Sequence, residues 1–210
     1  MRVTDATTRR TALPGLRRRG APASRLSRLL ARLAANDPEH AAHGRLVGQY
    51  AHTAARELGL PATTGNSLRL AGELHDVGKL EMPRRILEKP GPLDEREWAL
   101  IRTHPAIGAS LIRRAGLDRI AGWVLAHHER PDGRGYPYAL KANRIPVEAA
   151  VLAVADAFHA MTTDRPYQGA VDIASAFAEL RRGCRSQFDA FVVDAFIPSV
   201  QRSFVGTGRR

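Results

Sequence analysis

The 210 residues contain a single cysteine, so no disulfide can form within the chain and a reducing setting suits it. Cys184 lies near Arg181, Arg182 and Arg185, which favour a thiolate. No base accompanies it in sequence, so a structural role is expected. Aromatic residues are only 6% of the chain. No apolar run approaches the about 20 residues needed to span a bilayer. The N-terminus carries arginines where a secretory signal would carry an apolar core. These gaps point to a cytoplasmic protein with no transmembrane segment. Alternating apolar–polar runs are also missing, and Ala and Leu are abundant, which favours helix over strand.

Acidic residues are scarce at one end. Residues 1–35 hold nine Arg and one acid, Asp5, whereas the remaining chain holds 23 Lys+Arg against 20 Asp+Glu. The net charge of +11 is therefore mainly a property of the leader. Such a leader can touch nucleic acid or an anionic membrane; a solvated, flexible segment is the plainer expectation. Within it, Leu26, Leu29, Leu30 and Leu33 recur at helical spacing, with Arg25, Arg28 and Arg32 off the stripe. A short amphipathic helix over 24–35 is expected to pack on the domain that follows. The domain should run over 36–205, with a disordered tail at 206–210.

Helix signals fill that domain. Asp37-Pro38 starts one helix, which stops near Gly59 and Pro61. Asn66 or Ser67 starts another that runs through His75 and ends at Gly78. Asp94, Pro105, Leu117 and Pro146 open further helices, and two more are expected near 172–182 and 189–200. Asp132-Gly-Arg-Gly-Tyr-Pro137 reads as a loop, where Gly133 and Gly135 supply positive φ.

The chemistry-bearing residues fall at the ends or inside these helices. Glu39 and His43 are four apart on one helix and share a face. His75 and Asp76 adjoin, and Lys79 follows within reach. His104 comes next, then the adjacent pair His127-His128. Asp156 lies inside an apolar helix, where an uncompensated carboxylate is unfavourable and calls for a cation. A lone helix histidine is more often a hydrogen-bonded core residue than a ligand. Five histidines and three carboxylates in one domain are another matter. All are nitrogen or oxygen donors with no thiolate, a set that suits Fe, Mn, Zn or Co over a structural zinc knot. Eight donors exceed the needs of one ion.

The ordered run Pro38-Glu39, His43, His75-Asp76-Val-Gly-Lys79, Lys89-Pro-Gly91, His104-Pro105, His127-His-Glu-Arg130, Asp132-Gly-Arg-Gly-Tyr-Pro137, Ala155-Asp156 and Met161-Thr-Thr-Asp-Arg-Pro-Tyr167 resembles the HD-GYP family. This family is the cyclic di-GMP phosphodiesterase branch of the HD metal-dependent phosphohydrolases. The resemblance implies an all-α HD-domain bundle of about seven to nine helices over residues 36–205. It implies hydrolysis of cyclic di-GMP to pGpG and on to GMP, using two divalent ions, Fe or Mn, with a third where Glu39 adds a ligand. His43, His75, Asp76, His104, His127, His128 and Asp156 would be the remaining metal ligands, with Asp76 shared between ions. Lys79 would contact the scissile phosphate and Arg165 a substrate phosphate. Asp132, Gly133, Gly135, Tyr136 and Pro137 would shape the substrate edge and a protein contact, for instance with a diguanylate cyclase or another signalling protein. Other readings of the same motifs are an HD phosphohydrolase for another nucleotide, and a non-catalytic module that binds cyclic di-GMP or a partner.

Three departures from the family pattern stand out. His159 replaces a common Asp after Asp156, which reads as an extra polar neighbour or, the favoured reading, a harmless change on a helix face. Gln168 stands where a basic residue is usual. Tyr138-Ala139 replaces Arg-Gly after the Gly-Tyr-Pro loop.

Overall fold

A computed structural model describes residues 22–164 and 169–207. The expected all-α bundle is what these residues form, with no strand among them. Helix α1 (Pro22–Asn36) lays its Leu stripe on the domain, burying Leu29 and Leu33. The flexible stretch expected before it lies outside the described residues. In α2 (Pro38–Glu57), the Asp37 side chain accepts from His40 N at 2.9 Å and Pro38 occupies the first turn. Capping of this kind satisfies a donor that the helix ladder leaves open.

Helix α3 (Ala62–Leu74) starts four residues earlier than expected, directly after Pro61. Local propensity disfavours Thr63, Thr64 and Gly65, but tertiary contact overrides it. A Cβ on Gly65 would stand 3.2 Å from His52 Nδ1 in α2. The α2–α3 crossing is closer still elsewhere. A Cβ on Gly48 would lie 2.3 Å from Arg69 O, and one on Gly72 would lie 2.4 Å from Gly48 Cα. Only hydrogen fits at both positions, and backbone-to-backbone approach brings His43 and His75 together.

Helix α3 ends at Leu74, and a 3-10 turn, Val77–Glu81, takes over before Gly78. Two short helices follow, α4 (Arg84–Leu87) and α5 (Glu95–Ile101). Asp94 and Glu97 form a capping box at the start of α5, which buries no residue. Helices α6 (His104–Arg114) and α7 (Asp118–Ala126) are adjacent, and a loop over 127–146 leads to α8 (Val147–Met161).

Helix α8 is the central element, in contact with α2, α3, α7, α9 (Ile173–Arg182) and α10 (Ala190–Thr207). It buries Val151, Leu152, Val154, Ala155 and Phe158. Phe158 stacks on Phe177 and meets Phe196 edge-on, each at 5.4 Å between centroids. Burying a side chain of that size stabilises the fold by about 1.5–3 kcal/mol. This apolar spine carries Asp156 on its remaining face. Helix α10 continues through Pro198 to Thr207, past the expected end near 200 and into the expected tail; 208–210 lie outside the described residues. No helix among the described residues is long and apolar enough to cross a membrane.

Candidate metal centre

Five elements converge on one cluster. His43 comes from the second turn of α2, His75 and Asp76 from the end of α3, and His104 from the first position of α6. His127 and His128 follow the last turn of α7, and Asp156 projects from α8. Gly78 makes the junction between the 3-10 turn and α6. A Cβ there would lie 2.0 Å from His104 O and 2.7 Å from Gly108 N.

The donors form two groups that share one carboxylate. Ligand atoms of Asp76, His104, His127 and His128 lie within 4.8 Å of one another, and so do those of His43, His75 and Asp76. His43 Nε2 is 3.3 Å from His75 Nε2 and 3.1 Å from Asp156 Oδ1. His104 Nε2 is 3.2 Å from Asp76 Oδ1. Lys79 Nζ pairs with Asp76 Oδ2 at 2.6 Å.

Three histidines have their tautomer fixed by the backbone. Nδ1 of His75 lies 2.7 Å from Gly72 O, that of His104 2.8 Å from Ile101 O, and that of His127 2.6 Å from Val124 O. A carbonyl only accepts, so Nδ1 carries a proton and Nε2 is the nitrogen turned to the cluster. Asp76 Oδ1, His104 Nε2 and His127 Nε2 are buried without a hydrogen-bond partner. Orphaned buried acceptors aimed at one point are unfavourable unless a cation sits among them. The donor set therefore fits divalent metal, and Asp76 belongs to both donor groups.

Electrostatics agree. Burial pushes His127 well below the usual imidazole range, and neighbouring His128, His75 and His104 push the same way. Burial likewise takes His128 down to about 4. Both rings are thus neutral and able to ligate. Burial opposes ionisation of Asp76, but the charges of Lys79 and His75 outweigh it and hold the carboxyl well below the usual range. Asp156 is held low despite burial by its hydrogen bond with His43 and by the His75 charge. Burial also works against charge on His75, yet Asp76 and Asp156 raise it to about 9.

Other expected site residues are placed differently. Glu39 is exposed in the first turn of α2 and belongs to neither donor group. Arg165 and Gln168 lie outside the described residues. Asp132 binds Arg130 at 3.1 and 2.7 Å and accepts from Arg134 N, so both its oxygens build the loop. Gly133 does take positive φ, 76°, but Gly135 does not. Gly135 is needed for another reason: a Cβ would lie 2.4 Å from Arg130 N and 2.5 Å from Glu129 Cα. That approach folds the loop onto the cluster. The Tyr136 ring centroid sits 4.7 Å from that of His128, and Arg102 Cζ lies 5.9 Å from the Tyr136 centroid. Pro137 is exposed at the outer edge.

The structure gives roles to two further residues. Glu129, 3% exposed, accepts from Tyr138 N at 2.7 Å and Leu140 N at 2.8 Å and so anchors the loop. Its place directly after the His pair was the only hint. His159 was visible but misread. It is buried on the inner face of α8, with Nδ1 2.8 Å from His43 Nδ1, and is no harmless helix-face change.

Comparison with known proteins follows the same line. The family model described as HD domain matches residues 28–192. A cyclic di-GMP phosphodiesterase of Thermotoga maritima is 37% identical over 164 residues, 77% of this chain and 45% of the relative. A 3'3'-cGAMP-specific phosphodiesterase of Vibrio cholerae is 33% identical over 165 residues, 77% of this chain and 38% of the relative. The chain thus spans less than half the length of these curated relatives. Among solved structures, a HDG"Y"P protein from Bdellovibrio bacteriovorus superposes with a TM-score of 0.63 at 20% identity, covering 79% of this chain and 53% of that one. This last likeness concerns the fold.

Proposed function

The chain belongs to the HD domain family, as its HD-GYP motifs imply, and from that premise we propose that it is a metal-dependent phosphodiesterase cleaving cyclic di-GMP to linear pGpG and then GMP. The observation that carries this reading is the pair of donor groups meeting at Asp76, with Lys79 against the same carboxylate. His43, His75, Asp76 and Asp156 would hold one ion; Asp76, His104, His127 and His128 would hold the other. Fe or Mn suits this nitrogen–oxygen set. When bound, the ions supply Lewis-acid polarisation of the phosphate and a nucleophile at neutral pH.

The chain's own residues do the rest. Lys79, partly exposed, pairs with the buried Asp76 carboxylate. There it can offset charge that develops on the non-bridging phosphate oxygens, which stabilises the transition state more than the bound substrate. Tyr136 walls the site beside His128 and offers a flat ring against which a base can stack. The buried, neutral His127 and His128 have no proton to lose before binding metal, so a loaded site forms readily at neutral pH. Glu39, on the same face of α2 as His43, would complete a third site only if its exposed side chain turned inward. A cytoplasmic setting fits the single, half-buried Cys184.

A second substrate is favoured by one observation, the similarity to a 3'3'-cGAMP-specific relative. The test is a panel of cyclic di-GMP, 3'3'-cGAMP and cyclic di-AMP with reconstituted protein, products separated by chromatography. Fastest cleavage of cyclic di-GMP supports the proposal. Faster cleavage of another member reassigns the substrate, and cleavage of none refutes the enzyme reading.

A further inference from the structure

His43 cannot be oriented as His75, His104 and His127 are. It lies inside α2, where the carbonyl three residues back belongs to the helix ladder, so its Nδ1 needs a partner from elsewhere. That partner is His159, whose Nδ1 is 2.8 Å away across the α2–α8 contact. The two rings meet edge-on at 4.7 Å between centroids. Nε2 of His43 faces the opposite way, toward Asp156 and His75.

Two nitrogens at hydrogen-bond distance share one proton. If His43 presents the Nε2 lone pair to an ion, its proton is on Nδ1, and His159 Nδ1 must accept it. His159 then holds its own proton on Nε2, which lies 3.4 Å from Thr163 Oγ1 one turn further on. The chain His43–His159–Thr163 is thereby a neutral outer shell where the resembling family commonly has a carboxylate.

We propose that His159 is a positioning residue that locks His43 in its Nδ1–H tautomer and so tightens one ion of the pair, the one assigned to His43, His75, Asp76 and Asp156. This rests on the metal-centre reading given above. Outer partners of ligating histidines set ring orientation and basicity, and losing one weakens metal binding about 10–100-fold. The effect is confined to one ion because His104 and His127 take their orientation from their own backbone carbonyls.

The experiment loads wild type, His159→Ala and His159→Asp with Mn²⁺ and measures metal per chain after dialysis against graded chelator. Wild type should retain two ions. His159→Ala should retain one as tightly as wild type and lose the other at about 10–100-fold lower chelator strength. His159→Asp, which keeps an acceptor facing Nδ1, should hold both. Both ions held as in wild type by His159→Ala would overturn the proposal, as would equal weakening of both ions or failure of His159→Asp to restore binding. A wild type that holds no ion after reconstitution would overturn the metal-centre reading along with it. Nitrogen NMR of histidine-labelled, Zn²⁺-loaded wild type gives a readout that needs no variant. A proton on Nδ1 of His43 and none on Nδ1 of His159 is expected; the reverse assignment overturns the proposal.

Discussion

Gly78→Ala should damage the metal centre far more than it damages the fold. The added Cβ would lie 2.0 Å from His104 O and 2.7 Å from Gly108 N, both backbone atoms of α6. Reaching an ordinary contact of 3.4 Å requires the start of α6 to retreat by more than an ångström. Overpacking of this kind destabilises by about 1–3 kcal/mol. The retreating residue is His104, and an ångström of misplacement in a reacting site can cost about 10²-fold in rate. Gly122→Ala is the matched control. It too lies in a helix next to the cluster, but its Cβ would meet nothing within 4 Å. That variant should gain about 0.5–1 kcal/mol from the lower entropy of the unfolded chain. The assay is denaturant unfolding of each metal-free variant, followed by metal content and turnover after reconstitution. Gly78→Ala with wild-type stability, full metal and full turnover would refute the packing argument.

Other predictions concern single groups. Lys79→Met should lower kcat by about 10²–10³-fold while both ions remain bound, read by turnover with elemental analysis on the same sample. Ala139→Gly should raise stability by about 0.5–1 kcal/mol, because Ala139 is held at φ 52°, in the left-handed region where Gly is unstrained; thermal unfolding checks it. Stability of the chelated protein should peak near about pH 6.5. His75, raised to about 9, contributes fully below its unfolded value and loses that contribution as pH rises toward 9. His128, lowered to about 4, binds its proton more readily unfolded, so stability also falls as pH drops below the unfolded value. Denaturant titrations from acid to alkaline pH test this, and stability that climbs steadily to pH 9 would contradict it.

A collection of histidines and carboxylates at helix ends is visible in the sequence, and their assignment as ligands is what the resemblance to the HD-GYP family implies. His43, His75, Asp76, His104, His127, His128 and Asp156 do converge, from five elements. What spacing cannot carry is contact across elements. The start of α3 was misjudged because Gly65 faces His52 in another helix. Gly135 was assigned to a turn, whereas it serves a close approach to Glu129 and Arg130. His159 reads as a harmless helix-face change because helical periodicity does not reveal that its neighbour is His43 of α2, which faces the cluster. Glu39 illustrates the converse: it shares a helix face with His43, yet its side chain stays exposed.

The central claim is that one shared carboxylate organises two ions for phosphodiester hydrolysis. Metal content and cyclic di-GMP turnover, measured on one anaerobically purified sample of wild type and of Asp76→Ala, test it most directly. The account predicts two ions per chain and a linear dinucleotide product in wild type, with ions and turnover both lost in the variant. Turnover that survives in Asp76→Ala, or a fully loaded wild type that cleaves no cyclic dinucleotide, would contradict it.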